Sequence, residues 1–517
     1  MRTEIFDSTL RDGSQAEGIS FSIQDKLNIV KALDSFGVDY IEAGNPASNP
    51  KEQLFFEKLR DFPLKNSKIC AFGSTVRYGT RPENDAGLAA LIGAGTEVVS
   101  VFGKAWDLHV TEILRISLEN NLEIVESTVK YLKSLGKELI FDAEHFFDGY
   151  KNNREYALSV LKTAVSAGAD CICLCDTNGG MLPLGIAEIV KDVCQSFPGV
   201  RIGIHCHDDT GCAVANTVTA VVSGACHIQG TFNGFGERCG NANLSAIIPD
   251  LELKCGIDCG VKLKELKATA RSIAEISNIH LPKNAPYVGK SAFSHKGGMH
   301  IDGVLKLPRS FEHIDPETVG NERRFLLSEV SGRGTVLPKI QKYAPEITKQ
   351  SEKTALITEK LKEREMYGYQ YEAAEASFEL FVKKALGMWN SHFNMVMYKV
   401  TDDFPAPDGE QQSNAIVKIE VDGKSQMSCD CGNGPVNALD KALRNALTVF
   451  YPQLAAMHLI DYKVRVIDSK STDAVTRVLI ESSDGEAFYT TIGVSSDIIE
   501  ASVTALVDSY EYVLSGK

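Results

Sequence analysis

The sequence predicts an α/β fold that begins with a closed barrel of eight parallel strands, each followed by a helix. Short apolar or β-branched runs alternate with amphipathic stretches over residues 3–253. Alternation of this kind forms right-handed βαβ units in a parallel sheet. Eight such units in about 250 residues match a (β/α)8 barrel. An open doubly wound sheet is the alternative, but no Gly-x-Gly-x-x-Gly motif follows the first strand.

Eight segments have the composition of barrel strands. In chain order they are EIFDSTL, YIEAG, KICAFG, EVVSVFG, ELIFDAEHF, CICLCDT, RIGIHCHD and HIQGTFNGFG. The stretches between them carry apolar residues at helical spacing, as in SIQDKLNIVKALDSFG and VTEILRISLENNLEIVESTVKYLKSLG. Several of these stretches end in glycine, as at Gly37, Gly136 and Gly168, which is typical of a helix carboxyl end.

Two further regions follow the barrel, which we place at residues 1–268. Residues 269–400 begin with the polar, turn-rich stretch SNIHLPKNAPYVGKSAFSHKGGMHIDG and continue as helical segments. Residues 401–517 contain an internal repeat of strand, Asp-Gly turn, strand, glycine and amphipathic helix, with Asp422-Gly423 and Asp484-Gly485 as the two turns. Neither half has a cluster suited to acid–base or metal chemistry, so this α+β region is predicted to bind a ligand or assemble.

Composition excludes some classes of partner. The 517 residues are 44% hydrophobic and 24% charged, with a net charge of −14. This acidic balance argues against nucleic acid or an anionic membrane as the main partner, and no apolar run approaches the roughly 20 residues that span a bilayer.

The 13 cysteines lack framework spacing, so we expect free thiols and a cytoplasmic protein. Cys171, Cys173 and Cys175 alternate along one predicted strand and are interpreted as part of its buried face.

Polar side chains collect at the carboxyl ends of the predicted strands, where barrel active sites lie. They are Arg11 and Asp12, Glu42, Glu144 and His145, Asp176 and Thr177, and His205 and His207. The two histidines are two residues apart on a strand, so both face the barrel interior while Cys206 faces the helices. Strand one neighbours strand eight in a closed barrel, which puts Asp12 across the mouth from them. Two imidazoles and one carboxylate make a partial divalent-metal shell with open positions.

Motifs along the whole chain resemble one enzyme family. STLRDGSQAEG, GIHCHDDTG and NGFGERCGNANL resemble the α-isopropylmalate, homocitrate and citramalate synthases of the DRE-TIM metallolyase superfamily. SHKGGMHIDGVLK, HIDPETVGNERR and GYQYEAAEASFEL match its later segments, and GNGPVNALDKALRNAL and GVSSDIIEASVTALVDS match its regulatory domain. VFGKAWDLHV and EVSGRGTV are most similar to the branch that joins acetyl-CoA to pyruvate. Synthases that use 2-ketoisovalerate for leucine biosynthesis, and then homocitrate synthases, are the alternatives.

The resemblance implies an acyltransferase that carries out a metal-dependent Claisen-type condensation and then hydrolyses the thioester. Acetyl-CoA and pyruvate would give (R)-citramalate and CoA, in isoleucine biosynthesis. The metal would be Mg, Mn or Zn, and Arg11 would stabilise the developing alkoxide. The implied site residues fall into four groups: Arg11, Glu144 and His300 for catalysis; Asp12, His205, His207 and Asn241 for the metal; Arg11, Thr177, Ser74, Phe102 and Asp142 for the keto acid; and Gly234, Gly236, Glu237 and Gly240 for coenzyme A.

The resemblance also implies how the later regions act. Residues 269–400 would form a lid subdomain and helical linker, with His300 as a general base over the active site of the partner in a homodimer. Phe311 stands where a family tyrosine commonly follows, which puts the proton-transfer assignment in question. Residues 401–517 would be the allosteric and dimerisation domain, and isoleucine is the expected inhibitor.

Simpler interpretations exist for several of these residues. Arg11 and Asp12 would also suit a structural ion pair, Glu144 a hydrogen bond to a histidine, and His300 a solvated loop. Thr177 would also suit a helix N-cap before NGGMLPLG. Two other functions compete: a carbon–carbon lyase of the hydroxymethylglutaryl-CoA type, with Cys239 in its loop, and a non-catalytic amino-acid-binding protein.

Overall fold

The structure is a computed structural model that describes residues 2–326, 336–337, 340–348, 350–402, 413–467, 474–484 and 487–516. It divides the chain into two compact units. The first comprises Met1–Ser294 and Glu312–Arg324, and the second comprises His295–Phe311 and Phe325–Lys517. Nearly all of the EVSGRGTV motif lies outside the described residues. The three-region division at residues 268 and 400 stays a prediction.

The first unit is a closed barrel of eight parallel strands in sequential order, as predicted. The strands are β1 (Glu4–Asp7), β2 (Tyr40–Gly44), β3 (Lys68–Ser74), β4 (Val98–Lys104), β5 (Glu138–Glu144), β6 (Cys171–Asp176), β7 (Arg201–Cys206) and β8 (His227–Gly230). Strands β1 and β8 close it through the pairing of Asp7 with Gly230. Arg11 and Asp12 lie in the turn after β1 rather than on the strand.

Helices surround this barrel. They span Ile23–Phe36, Pro50–Leu59, Ala86–Gly93, Leu118–Ser134, Phe146–Asn152, Arg154–Ala167, Pro183–Ser196, Ala213–Val222, Leu244–Asp250 and Leu266–Ile276. The first begins at a capping box, in which Ser22 accepts from the Asp25 amide and Asp25 accepts from the Ser22 amide. It ends at Gly37, whose φ of 103° is left-handed and suits glycine. Such local signals explain why the helix positions were readable from the sequence.

One predicted helix is wrong in its extent. The segment expected to be helical over residues 110–136 contains a π-helical turn, His109–Leu114, and a separate α-helix, Leu118–Ser134. Arg115 breaks the run with a left-handed φ of 56°. The Ser117 side chain then accepts a hydrogen bond from the Asn120 amide and caps the second helix.

Two buried layers hold the barrel together. Inside it, Phe6, Tyr40, Val98 and Ile140 pack with Cys70, Cys171, Cys173 and Cys175. Cys206 instead belongs to the layer between strands and helices, with Ile172 and Ile204. The alternating cysteines of β6 are therefore core residues of one strand face, as predicted. Burying each large apolar side chain contributes about 1.5–3 kcal/mol.

The second unit confirms the predicted repeat. Short strands β9 (Ser294–His295) and β10 (Arg324–Phe325) occur where the chain passes between the units. Two βββα halves follow: β11 (Asn394–Asp402), β12 (Ser413–Val421), β13 (Lys424–Gly432) and helix Pro435–Thr448; then β14 (His458–Val466), β15 (Thr476–Ser483), β16 (Phe488–Ser495) and helix Ile498–Leu514. Each half is an antiparallel sheet in sequential order. Asp422 and Gly423 have positive φ in their turn, while Gly485 of the second turn lies outside the described residues.

Helices of the second unit also precede the repeat in the described part of the chain. They span Gly298–Lys306, Glu352–Met366 and Glu375–Ala385. Within the described residues, no helix has the length and apolar character needed to cross a bilayer.

Candidate active site

A cleft opens at the carboxyl ends of the barrel strands, with a volume of about 260 Å³. Its walls come from the ends of seven strands or the loops that follow them, and include Arg11, Phe72, Phe102, Asp142, Thr177 and His207. Parallel strands direct all of these segments to one end of the barrel, which is why residues far apart in sequence meet there.

Asp12, His205 and His207 form a buried polar group in this cleft. The His205 Nε2 atom lies 3.3 Å from His207 Nε2 and 3.5 Å from Asp12 Oδ2. Burial lowers the pKa of His205 to about 3 and also lowers the pKa of His207. Burial by itself would raise the pKa of Asp12, but the charge of Arg11, the two histidines and a hydrogen bond from Asn241 together outweigh it and lower that pKa. Neutral imidazoles beside an ionised carboxylate are the protonation states that a divalent cation requires.

Unpaired oxygens support the same interpretation. Asp12 Oδ1 and Asn241 Oδ1 are buried and have no hydrogen-bond partner among the described residues. An unpaired buried oxygen costs about 1–3 kcal/mol, so these atoms suit a bound cation. Asn241 pairs through its backbone with His207 and donates its amide to the Phe235 carbonyl at 3.0 Å. The residues present therefore fit a divalent metal, and their role as its ligands stays a prediction.

The glycines predicted to contact coenzyme A have a packing role in this structure. A Cβ on Gly236 would lie 2.2 Å from Asn241 Nδ2, and one on Gly240 would lie 2.1 Å from the Gly234 carbonyl oxygen. The loop is therefore folded tightly onto Asn241. Glu237 lines the cleft, and contact of this loop with coenzyme A stays a prediction.

Arg11 is held at the cleft by two carboxylates. Its Nε donates to Glu42 at 2.7 Å, and its Nη1 donates to Asp12 at 2.9 Å. The guanidinium carbon lies 3.9 Å from the centre of the Phe72 ring. The ion pair with Asp12 exists, but Arg11 also lines the cleft, so a structural role and a catalytic role are compatible.

Glu144 is the last residue of β5, and Thr177 directly follows the neighbouring strand β6. Thr177 Oγ1 accepts a hydrogen bond from the His145 amide at 2.9 Å. The helix after Thr177 begins at Pro183 with Leu182 as its cap, so the N-cap interpretation of Thr177 is wrong. Glu144 forms an ion pair with Lys104 of the neighbouring strand rather than with a histidine. Both Thr177 and Glu144 line the cleft.

Two stacked phenylalanines form one wall of the cleft. The rings of Phe72 and Phe102 have centroids 5.4 Å apart and an interplanar angle of 19°. Ser74, predicted to line the substrate pocket, is exposed at the end of β3. Phe72 lies two residues earlier on the same strand face and lines the cleft in its place.

Some cleft residues were missed by sequence reasoning, notably Phe72, Gln229, Arg238 and Gln15. Strand periodicity could have identified two of them as residues that face the barrel interior. Gln229 lies two residues after His227, and Phe72 lies two residues after Cys70, so each pair faces the same side of its strand. Arg238 follows no periodicity: it has a φ of 54° and pairs with Asp209 at 2.8 Å. His300 belongs to the second unit, where its ring stacks on Phe311 at 4.4 Å.

A parallel barrel with an Asp-His-His donor set in its carboxyl-end cleft defines a class, the metal-dependent TIM-barrel enzymes. The HMGL-like family model matches residues 2–273. Residues 287–366 match a homocitrate synthase post-HMGL domain-like model, and residues 372–514 match the LeuA allosteric (dimerisation) domain.

Relatives similar over their full length identify the family within this class of enzymes. The chain is 50% identical to an (R)-citramalate synthase of Aquifex aeolicus over 99% of this chain and 97% of the relative. It is 48% identical to an (R)-citramalate synthase of Geobacter sulfurreducens over the same shares. A Methanopyrus kandleri relative described as a probable 2-isopropylmalate synthase is 32% identical over 98% of this chain and 97% of its own length. The chain therefore belongs to the (R)-citramalate synthase family.

Proposed function

We propose that the protein condenses acetyl-CoA with pyruvate and hydrolyses the thioester, giving (R)-citramalate and CoA. The observation that carries this proposal is the convergence of Asp12, His205 and His207 beside Arg11 in the cleft, in a chain that is 45–50% identical over 99% of its length to (R)-citramalate synthases. A domain like the LeuA allosteric domain favours this synthase over a lyase built from the barrel alone.

The cleft residues have different proposed roles in the reaction. A bound Mg, Mn or Zn ion would supply Lewis-acid polarisation of the keto group. Arg11 faces the same point and stabilises negative charge that develops on the keto oxygen. Thr177 orients the substrate carboxylate through its hydroxyl group, and Glu144 lies at the side where the acetyl methyl group loses its proton. His300 would act on proton transfer from the lid, with Phe311 against its ring in place of a hydroxyl group.

Pyruvate is the favoured keto acid because aromatic rings fill the wall of the cleft. Phe72 and Phe102 are stacked, and Arg11 lies over Phe72. Together they restrict the space for a substrate side chain larger than a methyl group. Synthases that use 2-ketoisovalerate need room for an isopropyl group at the same point.

We expect Phe102→Ala to shift selectivity toward 2-ketoisovalerate. Removing the ring opens the wall, and one methylene in such a pocket changes discrimination by about 10–200-fold. The ratio of kcat/KM for 2-ketoisovalerate to that for pyruvate should rise at least ~10-fold. The measurement is free CoA released with pyruvate, 2-ketobutyrate, 2-ketoisovalerate and 2-ketoglutarate.

Phe197→Ala is the matched control for this substitution. Phe197 precedes β7, at the opposite end of the barrel from the cleft, so its loss lowers packing energy without widening the site. If the wild-type enzyme prefers 2-ketoisovalerate, pyruvate is the wrong substrate. If the ratio of kcat/KM values is unchanged in Phe102→Ala, Phe102 does not contact the substrate side chain.

Isoleucine is the proposed allosteric inhibitor, bound in the C-terminal repeat. A second cleft, of about 470 Å³, lies there between the start of helix Pro435–Thr448 and β14. Val436, Leu459 and Tyr462 give it an apolar side, and Asp440 and Arg444 give it both charges. An aliphatic amino acid has the complementary pattern of one apolar side chain, one carboxylate and one ammonium group.

Filling this cleft should weaken isoleucine inhibition. We expect Val436→Trp in the full-length enzyme to keep its activity and to raise the inhibitory isoleucine concentration at least tenfold. Val449→Trp, an exposed valine of the same unit outside the cleft, should behave as wild type. Calorimetry reports binding directly, and linkage requires that substrate weaken isoleucine binding as much as isoleucine weakens substrate binding. If Val436→Trp still binds isoleucine as the wild type does, the effector binds outside this cleft.

The same repeat supports a homodimer, because residues 372–514 match a domain described as a dimerisation domain. The 13 cysteines are free thiols, which supports a reducing, cytoplasmic location. Sedimentation analysis of the full-length protein tests the dimer.

A further inference from the structure

A series of hydrogen bonds connects buried side chains in the wall of the cleft and ends on His205. Ser100 on β4 donates to one carboxylate oxygen of Asp142 on β5, and Gln229 on β8 donates its amide to the other oxygen at 2.8 Å. The Gln229 carbonyl oxygen lies 3.1 Å from His205 Nδ1. All four side chains are buried. Both carboxylate oxygens of Asp142 are therefore paired with protein groups, and its predicted contact with the substrate stays a prediction.

The direction of donation along this series of hydrogen bonds determines which nitrogen of His205 carries the proton. An ionised Asp142 only accepts hydrogen bonds, so the amide nitrogen of Gln229 must face it. The Gln229 carbonyl oxygen then faces His205 Nδ1 and requires a proton there. A neutral histidine with its proton on Nδ1 has its lone pair on Nε2, and Nε2 is the atom directed at Asp12 and His207.

We propose that Gln229 and Asp142 are positioning residues that hold His205 in its metal-binding tautomer. This inference rests on the metal site of the proposed function and adds two residues that do not touch the metal. His207 offers an internal contrast, since its Nδ1 is buried without a partner among the described residues. We call the series Ser100, Asp142, Gln229 and His205 the relay. It orients the imidazole of His205 and does not contact that of His207.

Asp142→Asn is the decisive substitution because it keeps the size of the side chain and reverses its polarity. With Ser100 still donating to its carbonyl oxygen, as it donates to Asp142 here, the introduced asparagine would present its amide nitrogen to Gln229. Gln229 would then turn its carbonyl oxygen toward the new amide and its own amide nitrogen toward His205. His205 Nδ1 would become an acceptor and Nε2 would carry the proton, which blocks the atom needed by the metal.

The experiment measures Mn²⁺ binding to the metal-stripped, full-length protein by calorimetry. Burial raises the pKa of Asp142 to about 7, so the measurements are made at about pH 8, where the carboxylate predominates. We expect Asp142→Asn and Gln229→Leu to weaken Mn²⁺ binding by about 10–100-fold, the usual effect of removing a partner of a ligating histidine. Long-range ¹H–¹⁵N spectra of the metal-free protein, with His205 assigned from a His205→Gln variant, should show the tautomer reversed in Asp142→Asn. A side chain with a packing role alone would leave this tautomer unchanged.

Asp34→Asn is the matched control. Asp34 is another buried aspartate, and it accepts from the Asn66 amide at 2.8 Å and the Ser67 amide at 2.9 Å. Its loss should lower the melting temperature and leave Mn²⁺ affinity unchanged. If Asp142→Asn does not fold, Gln229→Leu decides the question from the histidine side of the relay. Folded relay variants with wild-type Mn²⁺ affinity would overturn this inference alone, whereas a wild-type protein that binds no Mn²⁺ would overturn the metal site itself.

Discussion

We expect His207→Ala to lose metal binding and condensation together. His207 contributes one of the two imidazoles that converge 3.3 Å apart beside Asp12, and its loss leaves one imidazole and two side-chain oxygen donors of the predicted set. Lewis-acid activation is worth several kcal/mol, and 1.36 kcal/mol corresponds to a factor of ten in rate. The expected fall in kcat/KM is therefore roughly 10³-fold.

Equilibrium dialysis with Mn²⁺ and an assay of free CoA check this expectation on the same sample. His280→Ala is the control, because His280 is an exposed histidine of the first unit. It should keep both metal and activity. His207 would not be a ligand if the variant, stripped of metal and then supplied with excess Mg²⁺ or Mn²⁺, worked at near wild-type rates.

The second large effect is expected for Arg11→Lys, which should lower kcat by about 10²-fold or more. The Arg11 guanidinium bonds Glu42 and Asp12 at once and lies over Phe72. A lysine ammonium group is a compact point charge that does not reproduce the planar fork. Stabilisation of a developing oxyanion by one such donor is worth about 10²–10³ in kcat.

Arg201→Lys separates this catalytic effect from the loss of an ion pair. Arg201 also bridges two carboxylates, Glu4 at 2.8 Å and Glu138 at 2.9 Å, at the amino-terminal end of the barrel. Its substitution should lower the melting temperature and leave kcat near the wild-type value. A change in Arg11→Lys confined to KM would mean that Arg11 binds ground-state substrate only.

The local pattern of the sequence was sufficient to predict the barrel. Strand and helix signals act over a few residues: Ser22 and Gly37 bound the first helix, and alternating residues of β6 and β7 separate the two faces of each strand. Because all strands are parallel, their carboxyl ends meet at one end of the barrel. The neighbourhood of Asp12, His205 and His207 followed from that topology and from the pairing of β1 with β8.

Features that depend on side-chain contacts between distant strands were not predictable in this way. Glu42 was noted at a strand end, but its bond to Arg11 depends on the path of the β1 turn. The break at Arg115 inside a predicted helix depends on a backbone conformation that its apolar pattern does not encode. Ser74 and Phe72 lie on the same face of β3, and only the depth of the cleft decides that Phe72 lines it.

The sequence by itself determined the class of the fold, the repeat at the carboxyl end and the meeting of Asp12, His205 and His207 in the cleft, because periodicity, caps and strand order are local properties of the chain. Only the tertiary structure decided which polar groups face one another. The relay from Ser100 through Asp142 and Gln229 to His205 crosses four strands, and its polarity exists only when all four side chains are enclosed together. In that enclosure water cannot replace a lost partner, so the direction of each hydrogen bond follows from its neighbour.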